Sequence, residues 1–338
     1  MFFSPAPAQP LPLAELHMHI EGSLEPEMLL RLARRNAVSL PTEDLETLRG
    51  RYKFDDLQSF LNLYYESMRV LRTERDYTEL ADAYLERAAR AGVVRAEIFF
   101  DPQTHLENGI PLDVVFNGLS ASLDSARERF GVSADLILCV ERHRGPEAAE
   151  RVLREALEFR DRFIGLGMDS AEVGYPPAPF KPVYDIARAE GLHLVAHAGE
   201  EAGPDYIWQA LDVLGVERID HGVRALEDPA LVDRLVAEQI PLTVCPLSNV
   251  SLKVFRELGH HTLPEMIGRG LMVTINSDDP AYFGGYLDDN FAALRGELGI
   301  DEETVARLAE NSIRASFAPE AEKAGWLAQI AAARGADA

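Results

Sequence analysis

Cysteine is scarce in this chain: its 338 residues include only Cys139 and Cys245. They form no Cys-x-x-Cys pair, which excludes zinc-ribbon and thioredoxin-type sites. The His-x-Glu plus Pro-Cys-x-x-Cys zinc site of the cytidine-deaminase type is excluded with them. Both cysteines lie in apolar runs, so buried free thiols are expected. Positive charge is also short. Lys and Arg total 33 against 56 Asp and Glu, a formal net charge of −23. No nucleic-acid partner and no membrane partner is expected of so acidic a chain. No apolar run approaches ~18 residues, so no membrane span is expected. No Gly-x-Gly-x-x-Gly follows an early strand-like run, which removes the usual dinucleotide signature. The opening MFFSPAPAQP lacks the basic start and apolar core of a signal peptide. Residues 1–11 read as a flexible lead-in to a single domain over 12–338, with the cytoplasm as the expected location.

Hydrophobic residues make up 47% of the chain and charged residues 26%, the balance of a soluble globular protein. Short apolar runs alternate with longer amphipathic ones. Eight strands are expected, over 13–19, 93–100, 135–140, 163–169, 192–197, 218–221, 241–245 and 271–278. Helical stretches fall between them, at 77–90, 114–129, 146–160, 182–190, 207–214, 229–238 and 264–269. Pro146, Pro229 and Pro264 suit first helical turns, and Gly191, Gly215 and Gly270 suit helix ends. Eight such units predict a (β/α)8 TIM barrel. The stretch between the first two strands is too long for one crossover helix. Its helical runs, 26–36 and 57–70, predict a helical insertion after strand 1 that covers the mouth of the barrel.

The chemistry-bearing residues fall where those strands end. His17 and His19 close strand one. They are two apart, so both imidazoles point the same way. His197 closes strand five, His221 strand six and Asp278 strand eight. In a barrel these carboxyl ends converge on one face, where active sites are built. A lone histidine after an apolar run is more often a hydrogen-bonded core group. His197-Ala198-Gly199-Glu200 argues otherwise, because Gly199 permits a sharp bend and Glu200 then leans over the same site. Three imidazoles and a carboxylate form a good ligand set for one catalytic zinc, with Fe(II) or Mn(II) as alternative occupants. Asp279 follows Asp278 but points elsewhere, toward a substrate. His105, His143, His193, His260 and His261 receive no role.

Five segments together resemble the adenosine/adenine deaminase family of the metal-dependent amidohydrolases. They are Glu15-Leu16-His17-Met18-His19-Ile20-Glu21-Gly22-Ser23, His197-Ala198-Gly199-Glu200, Asp220-His221-Gly222, Cys245-Pro246-Leu247-Ser248-Asn249 and Asn276-Ser277-Asp278-Asp279-Pro280. The resemblance implies one zinc per subunit on His17, His19, His197 and Asp278. It implies Glu200 as proton donor to purine N1, His221 as the residue assisting the attacking hydroxide, and Asp279 as the partner of purine N7. Glu21 stands where the nucleoside enzymes carry aspartate, and its extra methylene is expected to reach into ribose space. The segment after strand four, Asp169-Ser170-Ala171-Glu172, lacks their purine-facing glycine. Phe99-Phe100-Asp101-Pro102-Gln103 and Glu200-Glu201 point the same way. These features are similar to the adenine deaminase branch, so a free purine base is the expected small-molecule partner.

Three rival readings stand beside this one. Adenosine or an N6-substituted adenine is the alternative substrate. A binuclear amidohydrolase is disfavoured because no lysine lies between Gly167 and Gly174. A catalytically inactive purine-binding protein would be expected to have lost a ligand or Glu200, and none is lost. The sequence leaves oligomeric state open, homo-oligomers included.

Overall fold

The computed structural model describes residues 11–336. The expected lead-in, apart from Leu11, lies outside the described residues. Eight strands form: β1 (Leu13–His19), β2 (Val93–Phe100), β3 (Ser133–Glu141), β4 (Gly165–Asp169), β5 (His193–Ala198), β6 (Arg218–His221), β7 (Leu242–Val244) and β8 (Val273–Ile275). Each pairs in parallel with the next in chain order. A parallel bridge between Met18 and Asp278 joins the last strand back to the first. The result is a nearly closed (β/α)8 barrel, as the alternation predicts. Gly191, Gly215 and Gly270 all take positive φ at helix ends, a conformation glycine adopts without steric cost.

Between β1 and β2 run four helices: α1 (Pro26–Arg35), α2 (Leu45–Gly50), α3 (Leu57–Met68) and α4 (Glu74–Arg90). α3 starts at a reciprocal Asp56–Ser59 capping box, which satisfies amide groups left free at a helix start. Its apolar face, with Leu57, Phe60, Leu61 and Tyr64, packs on Leu252, Tyr282 and Phe283. This helix therefore roofs the mouth of the barrel rather than flanking its side. Four aromatic rings of this cluster, Phe60, Tyr64, Tyr282 and Phe283, make edge and tilted contacts that fix the roof.

Phe99, Ile137, Cys139 and Val195 fill the barrel interior beneath the mouth. Nearer the strands' amino ends the filling becomes ionic. Glu97, fully buried, accepts from Arg218 Nη1 at 2.6 Å and from Arg95 Nη2 at 3.1 Å. Burial alone would raise the Glu97 carboxyl, but Arg218 and Arg95 hold it below its ordinary value. Arg218 also donates to Leu16 O at 3.1 Å, tying β6 to the strand that carries His17 and His19. Removing one member of such a buried pair costs about 3–5 kcal/mol. Arg218→Met is expected to lower unfolding free energy by about 3 kcal/mol or more, read by urea denaturation. An unchanged midpoint would contradict this, and adding Glu97→Gln should recover part of the loss.

Candidate metal centre and active site

The barrel's closing seam assembles the site. Asp278 N donates to His17 O at 3.1 Å, and His19 N donates to Asp278 O at 2.9 Å. Asp278 is thereby wedged against the backbone of both histidines. It adopts φ 64°, and His221 φ 66°. Such left-handed backbone at non-glycine residues is strained and clusters at functional sites. The side chains then converge. His17 Nε2 lies 3.3 Å from Asp278 Oδ1, His19 Nε2 3.6 Å from the same oxygen, and His221 Nε2 3.8 Å from Asp278 Oδ2. His19 Nε2 and His197 Nε2 stand 3.3 Å apart. All five residues are buried.

The donor set fits a metal ion. His17, His197, His221 and Asp278 each offer one ligand atom within 4.8 Å of the others. His19 adjoins this group through His197 and Asp278. His17 Nε2 is buried and has no hydrogen-bond partner, while its Nδ1 sits 2.9 Å from Thr243 Oγ1. Thr243 in turn donates to Asp220 Oδ1 at 2.9 Å, so His17 Nδ1 carries the proton and Nε2 is left as a free lone pair. Asp220 Oδ2 stands 3.6 Å from His197 Nδ1, and Asp169 Oδ2 stands 3.6 Å from His19 Nδ1. At 3.6 Å neither pair is a hydrogen bond, and His197 Nδ1, Asp220 Oδ2 and both Asp169 oxygens are buried without a partner. Ser248 donates to Asp278 Oδ2 at 2.6 Å, and Asn249 contacts His221 Nδ1 at 3.4 Å. Burial pushes His221 down to about 3, leaving its imidazole neutral.

Glu200 follows β5 on a loop held from behind. Glu172, itself buried, accepts four consecutive amides: Gly199 at 2.6 Å, Glu200 at 3.1 Å, Glu201 at 2.7 Å and Ala202 at 2.8 Å. The fully buried Arg142 donates to His197 O at 2.8 Å. With its backbone fixed, the Glu200 side chain points into the site. Its Oε2 lies 3.6 Å from His221 Nε2, and its buried Oε1 has no partner. Burial raises this carboxyl well above its ordinary value, and the nearby charge of Asp278 adds to the effect. Its surroundings thus favour the protonated carboxyl.

These groups line a cavity roofed by Leu57, Phe60, Leu61, Tyr64 and Tyr65 of the insertion. Asp279 lines it too, and its buried Oδ1 is unpaired. Gly22 makes room for that side chain: a Cβ there would sit 2.0 Å from Asp279 Oδ1.

Glu21 departs from the expectation. It does not line the cavity. Its Oε1 turns instead to His105 Nε2 at 2.8 Å and Asp101 N at 3.1 Å. A buried carboxylate goes where donors are, and His105, given no role from sequence, supplies one. Sequence reasoning also passed over Asp101, Asp169 and Glu172. The first two end β2 and β4, so the strand-end rule that found the histidines applies equally to them. Glu172 leaves no such signal, because its partners are backbone amides 27 to 30 residues away.

Barrel and site together define an aminohydrolase, a hydrolase acting on an amidine C–N bond. More particularly, the chain belongs to the adenosine deaminase family, whose model matches residues 12–333. It is 58% identical over 327 residues to an adenine deaminase of Streptomyces coelicolor, covering 96% of each chain. A solved adenine deaminase from Arthrobacter aurescens superposes with a TM-score of 0.94 at 53% identity, over 95% of this chain and 98% of that one. A Burkholderia ambifaria amidohydrolase solved with bound zinc gives 0.86 at 26% identity, over 95% and 90%.

Glu172→Gln replaces one carboxylate oxygen with an N–H₂, which then faces either the Gly199 amide or the three amides of Glu200, Glu201 and Ala202. It is expected to lower kcat about 10- to 100-fold, as misplacing an acid by a fraction of an ångström does. KM should stay within about threefold and metal content should be retained, since Glu172 touches neither cavity nor cluster. Unaltered kcat in a folded Glu172→Gln protein would contradict the positioning role.

Proposed function

We propose that this enzyme deaminates free adenine hydrolytically, giving hypoxanthine and ammonia, as a step of purine salvage in the cytoplasm. The observation that carries the reading is Glu200: a buried acid with an unpaired oxygen beside a buried His/Asp cluster in one cavity. The names of relatives sharing more than half their residues with this chain support adenine as the base. His17, His19, His197 and Asp278 would hold one zinc ion, which, when bound, supplies the Lewis acidity that makes water a nucleophile near neutral pH.

The protein's own groups do the rest. Asp279 takes the N7 side of the base and fixes its rotation in the plane. Glu200 gives its proton to N1 as the water oxygen adds to C6, so electron density leaves the ring as the new bond forms. Neutral His221, 3.6 Å from Glu200 and 3.8 Å from Asp278, orients the attacking water and accepts its proton. His221 passes that proton to N6, so the C6–N6 bond breaks with ammonia as the leaving group, and the C6 hydroxyl returns its proton to Glu200 as the carbonyl of hypoxanthine forms. The apolar side chains of α3 over the site reduce its exposure to water, which strengthens each of these interactions.

Glu200→Gln is expected to retain its metal and lose at least roughly a hundredfold in kcat, followed by ammonia release and elemental analysis. Near-normal turnover would remove Glu200 from its role. Wild-type rates on adenine, adenosine and N6-methyladenine test the substrate. Faster turnover of adenosine than of adenine would overturn the free-base reading, and binding without ammonia release from any of them would indicate an inactive purine-binding protein.

A further inference from the structure

We propose that Asp101 is a substrate-binding residue that recognises the N9–H of a free purine base. The inference rests on the adenine reading and adds the residue that enforces it. It starts from matching the perimeter of the base to the order of the strands. Proposed contacts put N1 at Glu200, after β5, and N7 at Asp279, after β8. Two arcs of the barrel mouth connect these points. The short arc, through β6 and β7, carries His221 and faces C6. The long arc runs through β4, β3, β2 and β1. The base perimeter divides the same way: C6 and C5 lie on the short side, and C2, N3, C4, N9 and C8 on the long one. N3, next to N1, therefore falls toward β4. N9, nearer N7, falls toward β2 and β1.

Asp101 is the cavity-lining polar residue at the end of β2. It is 2% exposed, and its Oδ1 is buried without a hydrogen-bond partner. Everything else about it is fixed. Tyr64 of the roof donates to Oδ2 at 2.9 Å, and Glu21 Oε1 accepts from its backbone N at 3.1 Å. Glu21 is held in turn by His105, whose Nδ1 lies 2.9 Å from the Tyr77 hydroxyl. The other unpaired carboxylate on the arc, Asp169, ends β4, where N3 falls, and neighbours both the Asp101 carboxyl and, at 3.6 Å, His19 Nδ1. Asp101 thus presents one preorganised acceptor where N9 lies. A free base meets it with an N–H donor. A nucleoside has no hydrogen there and brings a carbon against a buried carboxylate, so the site loses its partner as well as its space. This gives Glu21 a task that its position outside the cavity otherwise leaves unexplained: it positions Asp101 from behind.

The test compares adenine with 9-methyladenine, which differs only at N9. Wild type and Asp101→Asn are assayed for kcat/KM on adenine and for inhibition of adenine turnover by 9-methyladenine. The asparagine keeps size and shape, but with Tyr64 still donating to its oxygen it turns N–H₂ toward N9–H. Adenine kcat/KM is expected to fall at least roughly tenfold, while the inhibition constant of 9-methyladenine changes less than about threefold. Equal loss on both ligands, or no loss on adenine, overturns the proposal. Two metal ions per wild-type chain, the second lost in the variant, would overturn it too, by making Asp101 a ligand of a second ion with His19 and Asp169. Should Asp101→Asn fail to fold, Asp101→Ser removes the acceptor with less demand on packing and is judged by the same ratio. If wild type itself prefers adenosine, the substrate reading has failed; if it prefers adenine and the variants keep that activity, only the Asp101 assignment has.

Discussion

Everything at this site depends on the seam between β8 and β1. Two backbone hydrogen bonds, on either side of Asp278, close the barrel and place a carboxylate between the histidines of the first strand. The local sequence supports the closure from outside the ladder. Leu16 N donates to the Asn276 side chain at 2.8 Å, and Ser277 N donates to Glu15 at 3.2 Å. The Ser277 hydroxyl bonds the same carboxylate, which also takes the Tyr84 hydroxyl at 2.7 Å. The strained φ of Asp278 is sustained because these contacts over-determine it. A barrel that closed one residue out of register would turn Asp278 away from the histidines and leave its carboxylate facing elsewhere.

The second constraint is electrostatic. Glu21, Asp101, Glu141, Asp169, Glu200, Asp278 and Asp279 are all buried around one mouth. So many carboxylates in a medium of low dielectric cannot all carry charge unpaired. Burial, and then the neighbouring Asp101, raises Asp169 well above its ordinary range; burial, and then Asp278, does the same for Asp279. Part of the compensation is built in, through His105 on Glu21 and Arg144 on Glu141. In the proposed reaction the remainder would fall to a bound cation and to the N–H groups of the purine, so the same excess of acid would serve both metal and base.

Much of this was legible in the sequence, for a specific reason. A barrel strand must be apolar until it emerges from the sheet, so a polar residue at its carboxyl end stands out. His17, His19, His197, His221 and Asp278 were found that way, and the strands they terminate begin and end within a few residues of expectation. What was not legible lies one step further from the cavity. Thr243, Asp220, Ser248 and Asn249 act through groups that themselves act. Glu172 works on backbone amides, which any sequence possesses. Glu21 was read from its position in a motif, as though side-chain length decided its reach. In the fold the nearest donors decided it, and they come from residues 80 and 84 positions along the chain. The short helix that supplies His105, Pro102–Glu107, has too few turns to reveal a periodicity.

The barrel divides its labour by arc. In the proposed reaction, strands β5 to β8, together with the two histidines of β1, would carry the groups that change bonds at C6, and strands β2 and β4, with the roof over them, groups that recognise the far edge of the ring. Such a division lets substrate choice change without disturbing chemistry, because loops after different strands share no hydrogen-bonded ladder beyond the sheet. A carboxylate at the end of β2 costs stability unless something donates to it. Two donors are at hand for Asp101: the neighbouring Asp169 carboxyl, raised by burial and by Asp101 itself, and, in the proposed binding mode, the N9–H that a purine carries when no sugar is attached.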